Sequence, residues 1–151
     1  MQRREFTKRL PKEPPSSAGG TMVESIKAIL LPVFERYADS VVFAYLFGSA
    51  AKGEATALSD IDIAVYLSYG TRKFYSDTKL SLYADLCRAL RSNDIDLVIL
   101  NTSRNIVLLE EIVRSAVVLY ERDSDFREDF EVKVLHRAID FREQRLAVMG
   151  F

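Results

Sequence analysis

The sequence predicts a small α/β (α+β) domain, a mixed β-sheet flanked by helices. Short apolar runs rich in β-branched and aromatic residues alternate with longer stretches whose apolar residues recur at helical spacing. The first two of these runs are joined by a loop, and only then does helix alternate with strand, which points to a mixed rather than an all-parallel sheet. Hydrophobic residues make up 48% of the 151 residues, enough for one core.

Residues 1–21 read as a tail, first basic (Arg3, Arg4, Lys8, Arg9), then rich in Pro, Ser and Gly. Pro11, Pro14 and Pro15 oppose a helix there, so residues 22–151 are expected to form the domain. Residues 23–37 are predicted helical, with Val23, Ile26, Ile29 or Leu30, and Val33 at helical spacing. Thr21 and Glu24 stand in capping-box positions, and Pro32 is expected to kink or divide the helix. Residues 41–47 are a continuous apolar run, the pattern of a buried strand. Residues 60–67 alternate with period two: Ile61, Ile63, Val65 and Leu67 on one face, Asp60, Asp62, Ala64 and Tyr66 on the other. Tyr69-Gly70-Thr71 reads as a turn. Residues 73–91 read as a long helix with Phe74, Leu80 or Leu82, Leu86 and Leu90 inward, broken by Ser92-Asn93. A strand over 94–100, a short helix over 106–114, a strand over 117–120 and an amphipathic helix over about 126–146 complete the order. The aromatic residues of 43–47, Phe141 and Phe151 are expected in the core.

The net charge of −1 gives no global basic field for nucleic acid. The single cysteine, Cys87, fits a reducing compartment. No apolar run reaches the length of a membrane span, and the start lacks the apolar block of a signal peptide. A cytoplasmic protein without membrane contact is therefore expected. With one histidine, His136, the chain lacks the donors of a zinc site and offers little to a Ser–His hydrolase.

Chemistry concentrates in three short segments. Gly48 and Ser49 end a strand; glycine lets backbone approach a phosphate, and the neighbouring hydroxyl and N–H donate to it. Asp60 and Asp62 lie two apart on one strand face, their Cα atoms roughly 6.5–7 Å apart. Carboxylates that close raise each other's pKa unless a cation intervenes, and Mg²⁺ is held by one or two carboxylates plus substrate phosphates. Asp96 interrupts an otherwise apolar strand, where a carboxylate is expensive unless paired or metal-bound. If that strand lies beside the Asp60 strand, Asp96 completes a three-acid cluster; Asp94 ranks second. Lys52 and Arg72 are candidate cations for a triphosphate. No Gly-Lys-Ser/Thr follows the glycine, so this is not a Walker A loop. The set suits Mg²⁺ and a nucleoside triphosphate, and nucleotidyl transfer leads.

The segment FGSAAKGEATALSDIDIAV resembles the signature of the DNA polymerase β-like nucleotidyltransferases, Gly-Ser, a spacer and Asp-x-Asp. DIDLVIL is similar to the later strand that bears their third acid, and VVLYERD with FEVKVLHRAIDFREQRL to their closing strand and helix. The small size is similar to the minimal nucleotidyltransferases (MNT), the MntA antitoxin family that partners HEPN-domain toxins. The resemblance implies a nucleotidyltransferase-type fold, with Gly48, Ser49 and Lys52 binding the nucleotide. It also implies two Mg²⁺ ions on Asp60 and Asp62, with Asp96 on the catalytic ion and helping to deprotonate the attacking hydroxyl. The implied reaction is transfer of AMP from ATP to a protein hydroxyl, a tyrosine of a HEPN toxin with which the chain would assemble. The alternatives are a non-catalytic HEPN-binding antitoxin and an aminoglycoside-like enzyme acting on small molecules. Many relatives have a large or basic residue after Gly-Ser and an arginine two positions on; Ala50 and Lys52 stand here, and lysine lacks arginine's bidentate fork.

Overall fold

The structure, a computed structural model, describes residues 18–56 and 58–149. Most of the expected tail, and Phe151, lie outside the described residues. Helix α1 (Ala18–Arg36) buries Ile26, Leu30, Val33 and Phe34. It begins earlier than the sequence predicts, so Thr21 sits inside the helix rather than capping it. Pro32 does not divide it. Pro32 and Ala28, whose carbonyl the proline leaves without its usual i+4 donor, are both exposed, so water can satisfy the lost bond. Buried Leu30, Val33 and Phe34 on either side hold the two halves to one core.

Strand β1 (Val41–Phe47) has the predicted limits and is buried throughout. A four-residue helix α2 (Gly48–Ala51) follows at once, then β2 (Ile61–Leu67), α3 (Arg72–Leu90), β3 (Ile95–Ile99), a 3-10 turn (Leu100–Thr102), α4 (Ile106–Ser115), β4 (Val117–Glu121) and α5 (Ser124–Met149). The four strands form one sheet in the order β3-β2-β1-β4. β1 runs antiparallel to β2 and β4, while β2 and β3 are parallel and joined through α3, so the sheet is mixed as predicted. Val42 and Phe43 both face the same side because the ladder shifts register between Val41 and Phe43.

Both sheet faces are covered. On one, Ala44, Leu46, Ile63, Val65, Leu67 and Leu97 pack with α1 and with Leu82, Leu86 and Leu90 of α3. The choice left open between Leu80 and Leu82 is resolved by burial: Leu80 is 70% exposed and Leu82 fully buried. Thr71 caps α3 by accepting the Phe74 N–H at 3.1 Å. The Tyr37 hydroxyl donates to Asp85 at 2.6 Å and ties the end of α1 to α3.

On the other face, Phe43, Tyr45, Phe47 and Ala64 pack against Leu109 and Ile112 of α4 and Val134 of α5. Phe126 and Phe130 of α5 meet the Phe43 and Tyr66 rings at centroid distances of 5.2–6.3 Å. Tyr45 donates to Glu131 at 2.5 Å, and Arg127 bridges Glu131 (2.7 Å) and Glu121 (2.6 Å). Burial and the neighbouring Glu131 carboxylate push the Tyr45 phenol well up, so it stays a donor. The last turns of α5 depart from the expected amphipathic pattern, with Leu146, Val148 and Met149 exposed. Asn101 extends the ladder beyond β3, accepting the Leu67 N–H at 2.7 Å and donating to the Leu67 carbonyl at 2.8 Å.

Candidate active site

Where β1 ends, β2 and β3 begin, and this end of the sheet gathers the acidic residues. Period-two alternation puts Asp62 on the face shared with Ala64 and Tyr66, and Asp96 on the face shared with Val98. Asp62 and Asp96 are direct partners in the parallel β2–β3 ladder, which places their Cα atoms about 4.8 Å apart. Asp60 immediately precedes β2, where the Ile61 N–H donates to the Asp94 carbonyl at 2.8 Å. Asp94 therefore serves the start of the β2–β3 pairing through its backbone, and its side chain is exposed.

Phe47 pairs with Asp62 across β1 and β2, and so delivers Gly48 against the Asp62 carboxylate. A Cβ on Gly48 would stand 2.1 Å from Asp62 Oδ2, and Gly48 has φ +76°, left-handed backbone that favours glycine. Glycine here permits both the turn out of β1 and the approach of backbone to carboxylate. Gly48 and Ser49 are the first residues of α2, where the leading N–H groups have no intrahelical acceptor. The Ser49 carbonyl accepts from Glu54 N–H at 2.9 Å and Lys52 N–H at 3.2 Å, closing the turn behind the site.

The Asp62 carboxyl is held above the usual carboxylate range by partial burial first, then by the charges of Asp96, Asp60 and Glu111. Among the described residues, none of the Asp60, Asp62 and Asp96 side chains has an ion pair or accepts a hydrogen bond. Uncompensated oxygen ligands of this kind fit a hard divalent cation. Among the described residues, no three acidic, His or Cys side chains converge as a ready-made metal cage. The three-acid cage expected of Asp60, Asp62 and Asp96 is therefore not assembled by the chain alone, and Mg²⁺ is a cation that takes one or two carboxylates and completes its shell with water and substrate phosphates.

Two expectations change. Asp96 is exposed rather than buried, because β3 is an edge strand and its Asp96 face is open at this end. Desolvation therefore does not force it to pair. Arg72 stands at the far end, at the start of α3 after β2, and lies outside the cluster. Lys52 is near it but engaged, with its ammonium 3.5 Å from Glu111 Oε2. Glu111 is the residue that sequence reasoning missed. It lies on α4, and its neighbour Glu110 looks the same in sequence, yet Glu110 is tied to Arg114 and Arg142 while Glu111 acts on Asp62 and Lys52.

The model of the family described as "Polymerase beta, Nucleotidyltransferase" matches residues 29–125, more than half of the chain and all of the site above. The chain belongs to that family. Several solved structures are similar to this nucleotidyltransferase. A toxin–antitoxin structure with AMP-PNP is 27% identical, with TM-score 0.67 over 82% of this chain and 95% of that one. A mutant of the MntA–HpeT toxin–antitoxin is 26% identical, with the same TM-score and coverages. The Shewanella oneidensis complex of a tri-AMPylated HEPN toxin with its MNT antitoxin is 24% identical, with TM-score 0.62 over 84% of this chain and 95% of that one, and that likeness concerns the fold alone. No curated protein matches the chain. Among the described residues, no helix of the nucleotidyltransferase is long and apolar enough to cross a membrane.

Proposed function

We propose that this nucleotidyltransferase transfers AMP from ATP to a hydroxyl on a HEPN-domain partner protein, as the antitoxin of a toxin–antitoxin pair. The observation that carries the reading is the meeting of Gly48 with Asp62, and of Asp62 with Asp96, at one end of the sheet. The likeness to a toxin–antitoxin structure with AMP-PNP supports a nucleotide substrate and a protein partner.

In this reading the first N–H groups of α2 and the Ser49 hydroxyl hold triphosphate oxygens, and the missing Cβ of Gly48 lets the chain come close. Asp60 and Asp62, with Asp96, would hold Mg²⁺, two ions in this reading. Bound there, the metal would supply neutralisation of the triphosphate charge and a more acidic acceptor hydroxyl. Asp96, exposed at the edge strand, is open to an acceptor arriving from outside, and its carboxylate takes the hydroxyl proton. Lys52, released from Glu111, helps to bind the triphosphate. Transfer of this kind rests mostly on positioning and charge neutralisation, which a sheet end and one tight turn can provide.

Incubating the purified protein with Mg²⁺, ATP and a HEPN-domain protein, then weighing that protein by intact-mass spectrometry, tests the proposal. A mass increase of whole AMP units is expected, and its absence from the Asp60→Ala plus Asp62→Ala variant. Toxin neutralisation by that variant equal to wild type would favour a non-catalytic antitoxin instead. A partner unchanged in mass, with an aminoglycoside modified, would favour the small-molecule enzyme.

A further inference from the structure

A second cavity, of about 810 Å³, opens at the other end of β3, beside Ile99. Four cations line it: Arg72 and Lys79 of α3, Arg104 after the 3-10 turn, and Arg137 of α5. None of the four has an ion-pair partner among the described residues, and no carboxylate is in the lining. Elsewhere the molecule pairs its charges routinely, as Arg114 and Arg142 do with Glu110 and Arg127 does with Glu121 and Glu131. Four like charges brought together by three separate parts of the chain repel one another, and a multiply charged anion relieves that repulsion. Tyr75 adds a ring to the wall; its hydroxyl is fixed by the Gly70 N–H at 3.3 Å.

The cavity is distinct from the acidic site. In the β2–β3 register Asp62 pairs with Asp96 and Val65 with Ile99, so the cavity begins about 10 Å along the strands from the acids. Its volume is that of a site for a small ligand. Three of its four cations are arginines, whose planar forks match phosphate oxygens two at a time. We propose that this basic cavity is a second ligand site, for a polyphosphate-bearing ligand of nucleotide size, separate from the site of nucleotidyl transfer. The inference goes beyond the proposed reaction and does not depend on it.

The probe is inorganic tripolyphosphate, titrated calorimetrically into the whole protein in low-salt buffer with EDTA. Without a divalent cation the acidic cluster repels the probe, so binding reports the basic cavity. Saturable binding is expected, weakened about a hundredfold by Arg104→Ala plus Arg137→Ala, since each lost charge-assisted contact is worth on the order of one decade in affinity. Arg72→Gln, on another element, should shift affinity the same way. Asp60→Asn plus Asp62→Asn should not weaken it, which separates failure of this site from failure of the transfer reaction. All three arginines are exposed, so the variants retain the fold, checked by thermal melts. Preference for ATP over a short oligoadenylate supports a polyphosphate-bearing ligand of nucleotide size, and the reverse, which would point to a phosphodiester strand, would overturn it. Absent saturable binding, unchanged binding in the arginine variants, or equally tight binding of a polyglutamate peptide would overturn the proposal.

Discussion

Gly48→Ala attacks the contact on which the site depends. The new Cβ would meet Asp62 Oδ2 at 2.1 Å, whereas real Cβ contacts stay at or beyond 3.0 Å, so the carboxylate must retreat by about 1 Å. The left-handed φ of +76° adds about 1–2 kcal/mol for any residue with a Cβ. For a chain of this length that strain lowers Tm by about 2–8 °C. The functional loss should be larger in proportion, because a shift of about 1 Å in a catalytic group costs on the order of 10²-fold in rate. Urea unfolding of Gly48→Ala, Asp62→Ala and the double variant, with transfer assayed for the glycine variant, tests this. The double variant should be more stable than the sum of the singles implies, because the crowded carboxylate has gone while the backbone strain remains. Stabilities that add within about 0.5 kcal/mol, or a glycine variant with undiminished transfer, would refute the reasoning.

Other consequences follow from neighbouring charges. The Asp62 pKa is raised on folding, so the folded state binds its proton more tightly and stability falls as pH climbs from the ordinary value of 3.8. Asp62→Asn should therefore raise the Tm of the metal-free protein at neutral pH, the gain should vanish below that value, and Mg²⁺ should shrink it; a thermal-shift series in pH checks all three. Removing Arg127 leaves Glu121 and Glu131 unpaired beside the Tyr45 hydroxyl, so Arg127→Met should cost about 1–3 kcal/mol by urea denaturation. Arg88→Ala, at an exposed ion pair with Asp85, should stay within about 0.5 kcal/mol of wild type. Lys52→Ala should raise KM for ATP up to about tenfold with little change in kcat, measured by initial rates, if its charge serves binding.

What the sequence discloses here is whatever is written locally. β1 is legible because every residue of Val41–Phe47 is apolar, and β2 because its alternation divides aliphatic from acidic positions. The adjacency of Asp60 and Asp62 follows from strand period alone. The meeting of Asp62 with Asp96 and Gly48 requires strand pairing, which a spacing suggests and only the β1–β2 and β2–β3 registers establish. Asp96 looked buried because its sequence neighbours are apolar, but an edge strand leaves that position open. Pro32 looked disruptive because local propensity ignores the core on either side of it. Glu111 and the four cations of the basic cavity carry no local mark at all, since distant parts of the chain bring them together.

The central claim concerns which phosphorus atom of ATP reaches the acceptor. Two parallel reactions with Mg²⁺ and the HEPN partner, one with ATP radiolabelled at the α-phosphate and one at the γ-phosphate, read it directly. The account predicts that the α label marks the partner and the γ label leaves as pyrophosphate, and that Asp60→Ala plus Asp62→Ala abolishes the marking. A partner marked by the γ label, or by the α label in the doubly substituted protein, would contradict it.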